Sequence, residues 1–167
     1  AIGNVIAPRF AALGFEVRGY ARTPRSIEGV ATFAGSDQLA AFADGLDIVV
    51  SVLPLTPETT GIMNAGFFGM LADGAFIING GRGPQVDDDD LLAALDSGKL
   101  GGAALDVFAV EPLPQDHPFW THPNVRVWPH VAAQTNATSA AEQVAAAITA
   151  MMDGSEPANR VDWSRGY

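Results

Sequence analysis

The stretch 75-AFIINGGRGPQVDDDDLLAALDSGKLGGAALDVF-108 holds a strand, a helix and a second strand in a single line. The apolar run 75-AFIIN-79 is short enough for a strand and is stopped by glycines. Residues 87-DDDDLLAALDSG-98 carry acids in the first turn, apolar side chains at helical spacing and a terminal glycine, which predicts a helix with both ends marked. Residues 102-GAALDVF-108 return to an apolar run. A helix between two short apolar strands is the βαβ crossover that joins parallel neighbours.

The same alternation extends in both directions. Upstream, 47-DIVVSVLP-54 is a β-branched run closed by proline, the pattern of a buried parallel strand. It is preceded by a predicted helix at 36–45 and followed by another at 64–71. Earlier still, 4-NVIAPRFAAL-13 has near-helical apolar spacing and stops at Gly14, and 15-FEVRGY-20 reads as a strand. Downstream come a strand at 125-VRVWP-129 and a long helix at 136–154. Strands alternating with helices predict an α/β doubly wound parallel sheet of the Rossmann-like type.

Composition agrees. The 167 residues are 48% hydrophobic and 17% charged, enough to bury one core. A net charge of −10 with nine basic residues cannot build a broad positive face, which argues against nucleic acid and anionic membrane as partners. With no cysteine there is neither a disulfide framework nor a thiolate metal site, which suits the cytoplasm. No apolar run reaches the ~18 residues that span a bilayer.

Folds of this class bind ligands at the carboxyl ends of their strands. The tips, in order, are 20-YARTPR-25, 53-LPLTPET-59, 79-NGGRG-83, 106-DVFAVEP-112 and 129-PH-130. Together they supply Arg82, Glu111 and His130. An arginine among small neighbours can approach a carboxylate or carbonyl closely, and a histidine beside a carboxylate can carry a proton near neutrality. Each residue also has a plain reading: a solvated arginine in a Gly-Arg-Gly turn, a Glu-Pro loop, a surface imidazole. The joint occurrence at three strand tips favours chemistry.

These residues lie in segments that resemble the D-isomer-specific 2-hydroxyacid dehydrogenases, most closely their glyoxylate/hydroxypyruvate reductase branch. The segments are 53-LPLTPETTGIM-63, 78-INGGRG-83, 90-DLLAALDSGKLGGAALDVFAVEPLP-114, 117-HPFWTHPNVRVWPHVAAQT-135 and 165-RGY-167. The resemblance implies that Arg82 orients a 2-oxo acid and polarises its carbonyl. It also implies that His130 delivers the proton and that Glu111 holds the imidazole, while a nicotinamide cofactor carries the hydride. Small residues around Arg82 are then expected to be clearance for substrate and cofactor, with Gly80 among the cofactor contacts.

For the cofactor, Ile2 and Gly3 align with the last two positions of the family's Gly-x-Gly-x-x-Gly turn, where helix N–H groups face a pyrophosphate. The resemblance places Leu53, Pro54 and Thr59 along the nicotinamide ribose and phosphates, and Asp106 near the carboxamide. NAD-binding members usually carry an acid after the second strand. Here Ala21 is followed by Arg22, Thr23 and Arg25, whose charge pairs with a 2′-phosphate, so NADP(H) is expected over NAD(H). A solvated basic loop is the alternative.

The resemblance further implies a small 2-oxo acid as substrate and a homodimer in the full-length form. Family members are much longer, so most of a substrate lobe and the first strand of the sheet are expected to be missing. That leaves residues 1–154 as the dinucleotide-binding part, 155–167 as a docking tail with Trp163, and little or no reductase activity in the isolated chain. Two other readings stay open: a nucleotide-sensing, co-repressor-like interaction protein, and a phosphoglycerate or formate dehydrogenase of the same family. No metal site is expected. Asp87 to Asp90 fan around a helix start, and His117 and His122 lack zinc-site spacing. Trp120 is a candidate pocket wall, with burial as the plain alternative.

Overall fold

The structure is a computed structural model that describes residues 2–158, 160 and 161. The chain divides into two compact units, Ala1–Pro129 and His130–Tyr167. The expected docking residues Trp163 and 165–167 lie outside the described residues.

The first unit runs α1 (Gly3–Ala12), β1 (Arg18–Ala21), β2 (Ala31–Ala34), α2 (Leu39–Ala43), β3 (Ile48–Ser51), α3 (Ala65–Met70), β4 (Ala75–Asn79), α4 (Asp88–Asp96), β5 (Leu100–Leu105) and β6 (Val125–Val127). The second holds α5 (Ala137–Met152). All ladders between strands are parallel. They form a two-stranded sheet, β1-β2, and a four-stranded sheet in the order β3-β4-β5-β6. Among the described residues no ladder joins the two sheets.

The α/β reading holds element by element, with β4 at its expected bounds. Strand β2 is an addition: 31-ATFA-34 is too short and too weakly apolar to announce itself, and is a strand because β1 pairs with it. Helix α1 contains Pro8, which removes one main-chain donor from its interior.

The core lies on one face of the larger sheet. Val49, Ile77 and Leu105 share a cluster with Ala43 of α2, Phe67 and Phe68 of α3, and Leu91 and Leu95 of α4. Phe119, from the Pro-rich loop after β5, is 1% exposed in the same cluster. The opposite face differs from the expectation of a strand buried on both sides. Ile48, Phe76 and Ile78 are 46%, 51% and 38% exposed, alternating with buried neighbours. The helices packed into the core all serve the other face, so apolar runs that suit two covered faces have one.

Candidate active site

Five chain segments gather at the carboxyl ends of the strands in the first unit. Helix α1 starts at the tip of β3: a Cβ on Gly3 would lie 3.9 Å from Val52 Cγ2. Its first turn has no acidic side chain, which leaves the positive end of its dipole uncompensated. Arg22, Thr23 and Arg25 follow β1 and are exposed. The Glu58 carboxyl is held below its ordinary range by a hydrogen bond from Thr56, then by its own backbone N–H, and by the charge of Arg22. Arg22, after β1, therefore lies within electrostatic reach of Glu58, after β3.

The 53–59 loop is knitted by its own side chains. Thr59 donates its hydroxyl to Pro54 O at 2.7 Å and accepts from Thr56 N at 2.8 Å. With its hydrogen committed inside the loop, Thr59 shapes this turn and can meet a ligand only as an acceptor. Leu53 and Pro54 present their carbonyls inward, where Gln85 Nε2 donates to both at 3.0 Å.

Arg82 stands exposed three residues beyond β4, with Nη1 donating to Gly81 O at 2.6 Å. Its backbone is held from both sides. Arg82 N donates to Gln85 Oε1 at 3.0 Å, and Asn79 Nδ2 donates to Arg82 O at 3.2 Å. The small residues beside it have a different cause from ligand clearance. A Cβ on Gly81 would lie 2.4 Å from Gln85 Oε1 and 3.1 Å from Leu53 O. A Cβ on Gly83 would lie 1.8 Å from the carbonyl carbon of Phe108 and 2.3 Å from Ala109 N. The protein's own loops occupy that space. Gly80 alone of the three has room, with Ser51 O at 3.9 Å from its Cβ position.

The close approach at Gly83 brings the Arg82 turn against the loop that carries Glu111. There Phe108 N donates to Glu111 Oε1 at 3.0 Å, so the carboxylate is oriented by its own loop. Asp106, just past β5, is buried, and its N–H donates to Asn79 O at 3.0 Å. Arg82, Glu111 and Asp106 thus share one end of the larger sheet. His130 opens the second unit, with a left-handed φ of 55° that costs energy in a residue with a Cβ.

Three of the four aspartates at 87–90 have separate structural tasks. Asp87 caps α4 by accepting from Asp90 N at 3.0 Å, and Asp90 Oδ2 accepts from Ala65 N, at the start of α3, at 2.8 Å. Asp88 lies 3.6 Å from His117 Nε2, and Asp96, at the end of α4, lies 3.3 Å from His122 Nε2. Both histidines of the Pro-rich loop thus turn towards α4. Trp120 is 51% exposed, with its indole N–H on Pro114 O, so burial does not account for it.

The model of the D-isomer specific 2-hydroxyacid dehydrogenase NAD binding domain matches residues 1–132. The chain belongs to the D-isomer-specific 2-hydroxyacid dehydrogenase family. Among relatives of this family, glyoxylate/hydroxypyruvate reductase A of Serratia proteamaculans is 49% identical over 166 residues, 99% of this chain and 53% of that protein. A D-isomer specific 2-hydroxyacid dehydrogenase of Xanthobacter autotrophicus, solved with NADPH and MES, is 47% identical with a TM-score of 0.97, covering 99% of this chain and 69% of that one. An NADPH-dependent glyoxylate/hydroxypyruvate reductase of Sinorhizobium meliloti, solved with NADP and sulfate, is 42% identical with a TM-score of 0.94, covering 99% and 54%. The chain spans about half the length of the curated relatives it matches.

In this 2-hydroxyacid dehydrogenase domain, the candidates Arg82 and Glu111 lie at one sheet end, and sequence reasoning missed the two amides that fix the arginine's backbone. Nothing local distinguishes Gln85 or Asn79 from a solvated amide. Their role follows from burial, at 0% and 1% exposed.

Proposed function

We propose that this chain is the cofactor-binding part of a reductase that converts a small 2-oxo acid, of the glyoxylate or hydroxypyruvate type, to the 2-hydroxy acid with NADP(H). The observation that carries this reading is the seating of Gly83 on the Phe108–Ala109 peptide, which puts an exposed arginine and an oriented carboxylate at one sheet end. The reductase names and the NADP complexes of the relatives support it.

In this reading the start of α1 at Ile2 and Gly3 takes the pyrophosphate, and Arg22, with Thr23 and Arg25, takes the 2′-phosphate. Leu53, Pro54, Thr59 and Gly80 line the path to the nicotinamide, and Asp106 meets its carboxamide. The residues fit such a group: the helix start bears no acid, and the basic loop is exposed. The bound nicotinamide supplies the hydride. Arg82 pairs with the acid's carboxylate and draws charge towards its carbonyl oxygen. His130 is assigned the proton that this oxygen takes as it becomes a hydroxyl, and Glu111 is the carboxylate of the set. Residues 1–154 form the cofactor part on this account, and 155–167 a docking tail.

Titration of the chain with each cofactor, followed by nucleotide fluorescence, tests the cofactor assignment. NADPH should bind roughly tenfold or more tightly than NADH, and Arg22→Asp should remove or invert that preference. Equal or tighter NADH binding by the wild type would sink the assignment.

A further inference from the structure

Gln85 is fully buried, and its side-chain amide uses its whole hydrogen-bonding capacity on two separate loops. Nε2 donates to Leu53 O and Pro54 O, both at 3.0 Å. Oε1 accepts from Arg82 N at 3.0 Å and from Ser51 Oγ at 3.4 Å. The two carbonyls lie beyond the end of β3, where no ladder supplies donors. Gly81 leaves the room this amide needs, since a Cβ there would lie 2.4 Å from Oε1.

A residue serving only to fill this space could be apolar. Burying an amide is tolerated when every polar atom is matched, and it then fixes geometry that packing alone leaves loose. Here the groups fixed are the carbonyls of the candidate cofactor segment and the backbone of the candidate substrate arginine. We infer that Gln85 is a positioning residue that couples the Leu53–Pro54 segment to Arg82, so that a cofactor seated on the first fixes the second for the acid. The inference rests on the proposed NADP(H) site.

The test uses Gln85→Glu and Gln85→Met in the same chain, with NADPH affinity measured against the wild type at each pH. Above neutrality the Glu carboxylate faces two carbonyl oxygens, and affinity should fall about tenfold or more. Burial raises the pKa of such a carboxyl, so lowering the pH restores an O–H donor, and the ratio to wild type should return to within about threefold. Gln85→Met has no donor at any pH and should stay weak throughout. A role in stability alone would lower Tm in both variants without this pH-dependent recovery.

A second readout needs no variant: NADPH should slow hydrogen exchange at the Arg82 amide of the wild type. Wild-type affinity in both variants across the pH range, or NADPH binding with no change at Arg82, overturns the inference and leaves the cofactor site standing. No NADPH uptake by the wild type overturns both.

Discussion

A methyl group on Gly83 would sit 1.8 Å from Phe108 C, whereas one on Gly80 would meet nothing nearer than 3.9 Å. Both glycines lie within two residues of the same arginine, so this difference separates packing from ligand access. Gly83→Ala must push two backbones apart, and we expect a loss of about 3 kcal/mol of unfolding free energy in urea titration. Gly80→Ala should stay within about 1 kcal/mol of the wild type, because an ordinary contact replaces space. If Gly80 faces the cofactor, its variant should nonetheless bind NADPH more weakly. Gly80→Ala with unchanged affinity would remove Gly80 from the site.

Helix α4 shows how a charged run becomes a set of different contacts. Its four leading aspartates read as a helix start, and Asp87 does cap the helix. The sequence could not show that Asp90 also closes the first turn of α3, or that Asp88 faces His117. Burial, and then the charges of Asp87 and Asp89, push the Asp88 carboxyl above its ordinary range, while His117 pulls it down. A carboxyl whose folded pKa is raised binds its proton more tightly in the folded state. The wild type should therefore gain stability as pH falls through that folded value, with the gain complete below the ordinary carboxylate pKa. Asp88→Asn lacks this proton uptake. Urea midpoints of the two proteins should shift in favour of the wild type between pH 7 and pH 4, and parallel curves would contradict the burial of Asp88. At the same scale, β2 escaped sequence reading because four weakly apolar residues carry no periodic signal until a neighbouring strand pairs with them.

In the first unit as a whole, the candidate cofactor segments belong to two sheets that no ladder joins among the described residues. Arg22 follows β1, while Leu53, Pro54 and Gly80 follow β3 and β4. A ligand touching both sides should tie the sheets together. NADPH at one hundred times its dissociation constant should raise the unfolding free energy by about 2.7 kcal/mol. NADH at the same concentration should raise it less, as a smaller increase in Tm. Equal shifts would contradict a 2′-phosphate contact at Arg22.

The order of helices and strands, the parallel sheet and the strand-tip positions of Arg82 and Glu111 were legible in the sequence. They follow from short-range patterns: apolar periodicity, acids and glycines at helix ends, and the need of parallel strands for a crossover. Gly83 seated on Phe108, Gln85 joined to Leu53 and Pro54, and the open face of Ile48, Phe76 and Ile78 were decided only by the tertiary structure. Each depends on groups far apart in the chain, or on which face the helices cover. A glycine or glutamine reads the same in one dimension whether it meets water, a ligand or another loop, and only packing removes that ambiguity.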